Sequence, residues 1–382
     1  MLRIHELLSK QPVDAAAPDE AAIDAFIGEH EFPLIEGTHA TFVFRGEADA
    51  VHLRHWIFGL PSSVALTRVE GTDLWYTVFD LPAKSRVEYK LDVHRGGHGE
   101  WILDPLNPHQ AQDPFGANSV CCGKGYRTPK WTRPDAETRP GTVEERSIRS
   151  DAFGDERRVL LYKPARFRET RRYPLLVVHD GEDYLRYAQL KEVLDNLIHR
   201  LEVAPMVVAL TVPGDRLVEY PDDPRHVRFL TEELVPTLER EMPLVGGSSG
   251  RGVMGASFGA VASLSAAWRR PGYFARLLLQ SGSFAFTDIG RHNRSEAFDP
   301  VVRFVNAFRE TPGRPSDRVF MSCGIYESLI YENRSLQPLL SGTGMAVRFV
   351  EARDGHNWEN WRDRLREGLS WLFPGPLLFV YE

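Results

Sequence analysis

Between Ala40 and about Arg127 apolar and polar residues alternate in short runs. ATFVFRG, VHLRHWIF, DLWYTVFDL and RVEYKLDVH are rich in Val, Phe, Tyr and Trp and are parted by turn residues. That texture belongs to consecutive strands buried on one face, and their spacing predicts a small antiparallel sandwich. Ahead of them EAAIDAFIGE predicts an amphipathic helix over Glu20–Glu29. Most of the aromatic residues here, Trp56, Phe58, Trp75, Tyr76, Phe79, Tyr89 and Trp101, fall on these alternating runs and are expected in the sandwich core. Pro and Gly then crowd DPLNPHQAQDPFGANS and RTPKWTRPDAETRPG, which sets a linker at residues 128–140 between a domain at 1–127 and another at 141–382.

After Gly141 the pattern changes. VEERSIRS and RRVLLYKP flank DAFGDE as a hairpin, and YPLLVVHD and PMVVALTV are continuous apolar runs. Runs of that kind are strands buried on both faces. Leu190, Val193, Leu194, Leu197, Ile198 and Leu201 recur at helical spacing between them. FLTEELVPTLEREM, ASFGAVASLSAAWRR and WENWRDRLREGLSWLF read as further helices, and VMG, ARLLLQSG, DRVFMSCG and MAVRFVEA as further strands. Strand–helix alternation over this length predicts an α/β domain, a mostly parallel sheet with helices on both faces.

The 382 residues are 42% hydrophobic and 26% charged, enough apolar material for a sizeable core. A net charge of −7 lacks the basic excess of a nucleic-acid binder. Three cysteines without CxxC spacing make neither a disulfide framework nor a metal site. The N-terminus carries no long apolar stretch, and the longest apolar runs fall short of the roughly 18 residues a membrane span needs. The expectation is a soluble, cytoplasmic protein with no membrane partner.

The string G-x-S-x-G occurs twice. Gly246–Gly250 lies between a helix end and a strand and reads as a loop. Gly255-Ala256-Ser257-Phe258-Gly259 follows the strand VMG and opens the helix ASFGAVASLSAAW. Strand, sharp turn, helix is the context of a nucleophile elbow. A serine hydroxyl needs a base, and in hydrolases of this architecture the chain order is Ser, acid, His. His356 lies after a predicted strand and before the last helix, whereas His292 sits in the polar stretch DIGRHNRSE. Glu327, in the loop GIYES after DRVFMSCG, is the expected acid. Its rivals are Asp354, two residues from His356, and Glu332, one turn into the next helix. The backbone N–H groups of Phe258, Gly181 and Glu182 are candidate oxyanion donors. A metal site at His179, Asp180, Glu182 and Asp183 lacks a second ligand cluster, so neither metal nor cofactor is expected.

LLVVHDGEDYL, DRLVEY, FLTEELVP, RGVMGASFG, LLLQSGSF, CGIYESLIYENRSL and DGHNWENWRDRL together resemble the enterochelin (ferric enterobactin) esterase family of the α/β-hydrolase superfamily. TFVFRG, GTDLWY, RVEYKLD and ILDPLNP look like that family's immunoglobulin-like, early-set domain. The resemblance implies an α/β hydrolase that hydrolyses ester bonds in a siderophore trilactone and so releases iron. Ser257 would be the nucleophile, His356 the general base and acid, and Glu327 the orienting acid. The small-molecule substrate would be an ester such as a ferric catecholate, which is anionic. Arg216, in a loop after PMVVALTV, is then a candidate to offset repulsion by this acidic chain; the alternative is an ion pair with Glu219. Trp358 and Trp361, beside His356, are candidates to contact aromatic rings or to pack in the core. The other readings are a feruloyl- or acetyl-type carbohydrate esterase, another carboxylesterase, and a hydrolase fold kept only for binding.

Overall fold

A computed structural model describes residues 1–9, 18–287 and 293–376. The chain divides into two compact units. One holds Met1–Arg127 with Ile325–Ser328 and Ala352–Gly355, and the other holds Thr128–Gly324, Leu329–Glu351 and His356–Glu382.

The first unit begins with helices α1 (Arg3–Ser9) and α2 (Glu20–Glu29), the latter capped by the Asp19 carboxylate on Ala22 N–H. Its strands are β1 (Leu34–Glu36), β2 (His39–Arg45), β3 (Ala50–His55), β4 (Ser63–Ala65) and β5 (Thr67–Arg68). β6 (Leu74–Asp80), β7 (Arg86–Arg95), β8 (His98–Ile102), β9 (Gln110–Asp113) and β10 (Gly116–Cys122) follow. They form two antiparallel sheets, β1-β2-β6-β5 and β4-β3-β7-β10-β9, with β8 also paired to β7. Strand periodicity explains the core. Ala40, Phe42 and Phe44 of β2 pack with Val51, Leu53, Tyr89 and Leu91 of the other sheet. The intervening Val43 turns to the opposite side and meets Ile4, Ile23 and Phe26 of the two helices.

The aromatic residues of this unit divide differently from the expectation. Trp75 and Tyr89 are buried, but Trp56, Phe58 and Trp101 are exposed. Along β3 the buried positions are Val51, Leu53 and His55, and Ile57 continues that series, so Trp56 and Phe58 fall on the outward parity.

The second unit is built on strands β11 (Thr142–Ser150), β12 (Asp155–Lys163), β13 (Leu175–Val178), β14 (Val207–Thr211) and β15 (Arg251–Ala256). β16 (Arg276–Gln280), β17 (Arg318–Gly324) and β18 (Ala346–Ala352) complete the sheet, in the order β11-β12-β14-β13-β15-β16-β17-β18. β11 and β12 run antiparallel to their neighbours, and β14, β13, β15, β16 and β17 are mutually parallel. The helices are α3 (Gly181–Arg186), α4 (Leu190–His199), α5 (Arg216–Glu219), α6 (Pro224–Arg228) and α7 (Val235–Glu241). Then come α8 (Phe258–Arg269), α9 (Asp299–Glu310), α10 (Ile330–Gly342) and α11 (Trp358–Leu372).

Both faces of this sheet are buried, which is why its strands lack polar alternation. Leu175, Val177, Val253 and Leu277 face α8, α9 and α10, while Leu176, Val178, Met254 and Leu278 face α4 and α11. Each such leucine or valine contributes about 1.5–3 kcal/mol when fully buried. Residues 128–140 include the short turn Lys130–Thr132. Asn196 Nδ2 of α4 donates to the carbonyls of Trp131 and Arg133, at 2.9 and 2.8 Å, so this proline-rich stretch is pinned to the α/β unit. Among the described residues no helix is long and apolar enough to cross a membrane.

Candidate active site

A tight turn in the α/β unit lies at Ser257. It links β15 to α8 with φ 57° and ψ −121°, a conformation that costs a non-glycine residue about 1–3 kcal/mol. The flanking glycines make room for it. A Cβ on Gly255 would lie 2.4 Å from the backbone of Gly259, and one on Gly259 would lie 3.1 Å from His179 Cβ. Helix and strand therefore approach more closely than side chains would permit.

The turn is held from the next strand. Ser257 N–H donates to Gln280 O at 2.9 Å, Ser283 N–H donates to Ser257 O at 3.2 Å, and the hydroxyls of Ser257 and Ser283 are 3.1 Å apart. Ser257 is half-buried and caps α8, so the N–H of Phe258 at the first helical position has no partner within the helix. By contrast Ser248 lies in a short turn, Ser248–Gly250, ahead of β15.

Gln280 also reaches across to α11. Its Nε2 donates to Trp361 O at 2.8 Å, and its Oε1 accepts from Tyr184 Oη at 2.8 Å. Trp361 Nε1 donates to Ser281 Oγ at 2.9 Å. The Trp361 ring in turn meets that of His356 edge to face, with centroids 5.0 Å apart. Trp358 packs on Trp361 and on Tyr184, at 4.7 and 5.2 Å. Both tryptophans are buried in the core. Of the two roles read from the sequence, core packing is the one their burial favours, with Trp361 also supporting the exposed ring of His356.

Glu327 follows β17 and is buried, while His356 follows β18, the neighbouring strand. Asp354 is buried and receives Arg86 Nη1 at 3.3 Å, and Glu332 pairs with Arg294. Next to Glu327, Tyr326 is tightly held: its carbonyl accepts from Phe58 N–H at 2.8 Å, and its hydroxyl lies 2.6 Å from Ser85 Oγ. His292 lies outside the described residues.

Arg216 does not pair with Glu219. It forms two hydrogen bonds of 2.8 Å with Asp180, which lies in the left-handed region at the end of β13, and its guanidinium is 5.8 Å from the Phe258 ring. Glu219 is instead held by Arg157 at 2.6 Å. Gly181, where α3 begins, packs so tightly that a Cβ would lie 2.3 Å from Leu210 Cβ. Glu182 pairs with Arg158 at 2.6 Å. Burial and the Asp180 carboxylate push Asp183 up to about 6.

His179 is spent inside the fold. Its Nδ1–H donates to Met254 O at 3.0 Å, which leaves Nε2 to accept from His226 Nε2–H at 2.9 Å. Burial pushes His179 down to about 4 and lowers His226 as well, so both rings are neutral.

Residues 150–372, more than half of the chain, match the model of the family described as "Putative esterase". The chain belongs to this esterase family. It is 25% identical over 334 residues to the iron(III) enterobactin esterase of Escherichia coli O6:H1, with 80% of each chain covered. The enterobactin esterase of Shigella flexneri, solved in the presence of enterobactin, shares its fold with a TM-score of 0.71 at 24% identity, covering 87% of this chain and 92% of that one. A ferulic acid esterase of Anaeromyces mucronatus, solved with ferulic acid, overlaps at a TM-score of 0.52 and 15% identity over 64% of this chain and 95% of its own. The fold of this esterase is accordingly of α/β-hydrolase type.

Sequence reading missed Gln280 and Ser283 in this esterase. The available signal was local: LLLQSGS breaks an apolar strand with polar residues at the end of β16, beside the elbow.

Proposed function

We propose that this chain is a serine carboxylic ester hydrolase acting on the trilactone backbone of an enterobactin-like siderophore, with Ser257, His356 and Glu327 as its triad. The observation that carries the reading is the left-handed Ser257 between β15 and α8, in a chain whose relatives are enterobactin esterases. Ser257 Oγ attacks an ester carbonyl while His356 takes its proton, and Glu327 orients the imidazole and balances its charge. The N–H groups of Phe258, Gly181 and Glu182 hold the oxyanion. The ester C–O bond then breaks, and His356 returns the proton to the leaving serine hydroxyl of the trilactone. Water, deprotonated by His356, releases the acyl group from Ser257. Opening the trilactone loosens its grip on iron.

The first unit is proposed to be an early-set, immunoglobulin-like sandwich, since its two antiparallel sheets share one apolar core. It supplies no nucleophile.

The test is mass spectrometry of products after incubation with iron-loaded and iron-free enterobactin and, separately, with a feruloylated sugar. Linear dimers and monomers from enterobactin, absent with Ser257→Ala and present with Ser248→Ala, are expected. Turnover of the feruloylated sugar alone would overturn the siderophore reading. Full activity in Ser257→Ala would overturn the nucleophile.

A further inference from the structure

The helices of the first unit cover the sheet β1-β2-β6-β5, and the outward-facing residues of β3, β7 and β8 follow a separate chemistry. His52 on β3 lies directly opposite Asp92 on β7. Strand periodicity brings His94 to the same face two residues on, and β8 sets Trp101 opposite Asp92 and Gly99 opposite His94. Donor atoms of His52, Asp92 and His94 all lie within 4.8 Å of one another. His94 Nε2 and Asp92 Oδ1 are 3.1 Å apart, and the two imidazole rings stand 5.4 Å apart, edge to face.

Three details point to a ligand here. Buried Nδ1 of His52 has no hydrogen-bond partner, an unusual state for a polar atom shielded from water. Gly99 lets β8 lie close against the cluster, where a side chain would displace the donor groups: a Cβ there would lie 2.8 Å from His94 Cε1 and 3.0 Å from Asp92 Oδ1. The third detail is the placement of Arg54. Its guanidinium sits 4.7 Å over the Trp101 ring and approaches Asp92 Oδ2 at 3.9 Å, so Oδ1 is the oxygen turned to the histidines.

We propose that His52, Asp92 and His94 bind one divalent transition-metal ion of the Zn²⁺ class. Two imidazole nitrogens and one carboxylate oxygen suit zinc, cobalt or nickel; calcium and magnesium prefer an all-oxygen shell. In a tetrahedral zinc site, ligand atoms are separated by about 3.3 Å, so the cluster closes by small rotations of its side chains. The His94 side chain is 38% exposed and that of Asp92 12%, so one side is open for water to complete the shell. Such an ion cross-links β3 to β7, and it takes no part in the ester chemistry proposed above.

The chain, stripped with a chelator and dialysed, is titrated with Co²⁺ and then with Zn²⁺. One equivalent of Co²⁺ with the visible bands of a four-coordinate ion, displaced by Zn²⁺, is expected. His52→Gln, Asp92→Asn and His94→Gln should each weaken binding about tenfold or more, with far-UV circular dichroism unchanged. His39→Gln, which alters the separate exposed pair His39–Asp80, should bind as wild type. Should a variant misfold, anomalous scattering at the zinc edge from zinc-soaked wild-type crystals decides. A peak among the three side chains supports the site, and its absence there overturns it. Saturable Co²⁺ binding weaker than roughly 100 µM, or equal binding by the three variants, would also overturn it.

Discussion

Replacing Arg216 by alanine removes the cation facing a carboxylate whose side chain is only 3% exposed, while Arg216 itself is 35% exposed. Both nitrogens of the fork, Nε and Nη2, lie 2.8 Å from Asp180 oxygens. Breaking a buried, hydrogen-bonded pair costs about 3–5 kcal/mol, because the remaining charge is stranded. Water reaches the arginine, so the lower end, about 3 kcal/mol, is the expected loss. For a domain of this size that corresponds to a fall in melting temperature of roughly 6–12 °C. Arg216→Lys should fall between, since an ammonium cannot reproduce the two-pronged contact. Adding Asp180→Asn to Arg216→Ala should recover most of the loss by removing the stranded charge. Thermal melts monitored by circular dichroism read the stability. Steady-state kinetics on a p-nitrophenyl ester and on iron-loaded and iron-free trilactone read the site. Brace and elbow are neighbours, so kcat should fall for all substrates alike. An unchanged melting temperature with KM raised only for the ferric substrate would refute this reasoning and assign the cation to the ligand.

Glu327→Gln should lower kcat by about 10⁴ with the fold intact, the usual cost of losing a triad carboxylate. Asp354→Asn should lower chiefly the melting temperature, because it leaves the buried Arg86 without that partner; the reverse outcome in steady-state kinetics and melts would move the acid to Asp354. Trp361→Phe removes the 2.9 Å bond to Ser281 and should lower kcat about tenfold with little change in KM, at a cost of about 1–2 kcal/mol in stability. Unchanged kcat would show that the indole does not support His356. Asp183 keeps its proton up to about 6 in the folded chain, against 3.8 for an ordinary aspartate. The unfolded chain therefore loses that proton first, and this group's contribution to stability declines as pH rises from about 4 to about 6. Asp183→Asn should flatten that part of the melting-temperature profile, and an identical slope in the variant would count against the burial of this carboxyl.

What is local in origin could be read from the amino-acid order. Continuous apolar strands predict a sheet buried on both faces, as Leu175–Val178 and Val207–Thr211 are. Gly255-Ala256-Ser257-Phe258-Gly259 predicts the elbow because only small flanking residues permit the close approach seen between Gly255 and Gly259. The strand–turn–helix setting of Ser257, which Ser248 lacks, is equally local. The partners of charges were not legible. Arg216 and Glu219 are three residues apart, yet Arg216 turns to Asp180 and Glu219 to Arg157, because β14, which leads into them, lies between β13, followed by Asp180, and β12, which carries Arg157. Burial of Trp358 and Trp361 depends on which face of α11 meets the sheet, and exposure of Trp56 and Phe58 on which parity of β3 turns to the core. The cluster of His52, Asp92 and His94 joins residues forty positions apart, and only the register of β3 on β7 makes them neighbours. Periodicity along the chain determines which face of an element is apolar. The pairing of distant polar groups is decided by strand order and register, which no short window of sequence contains.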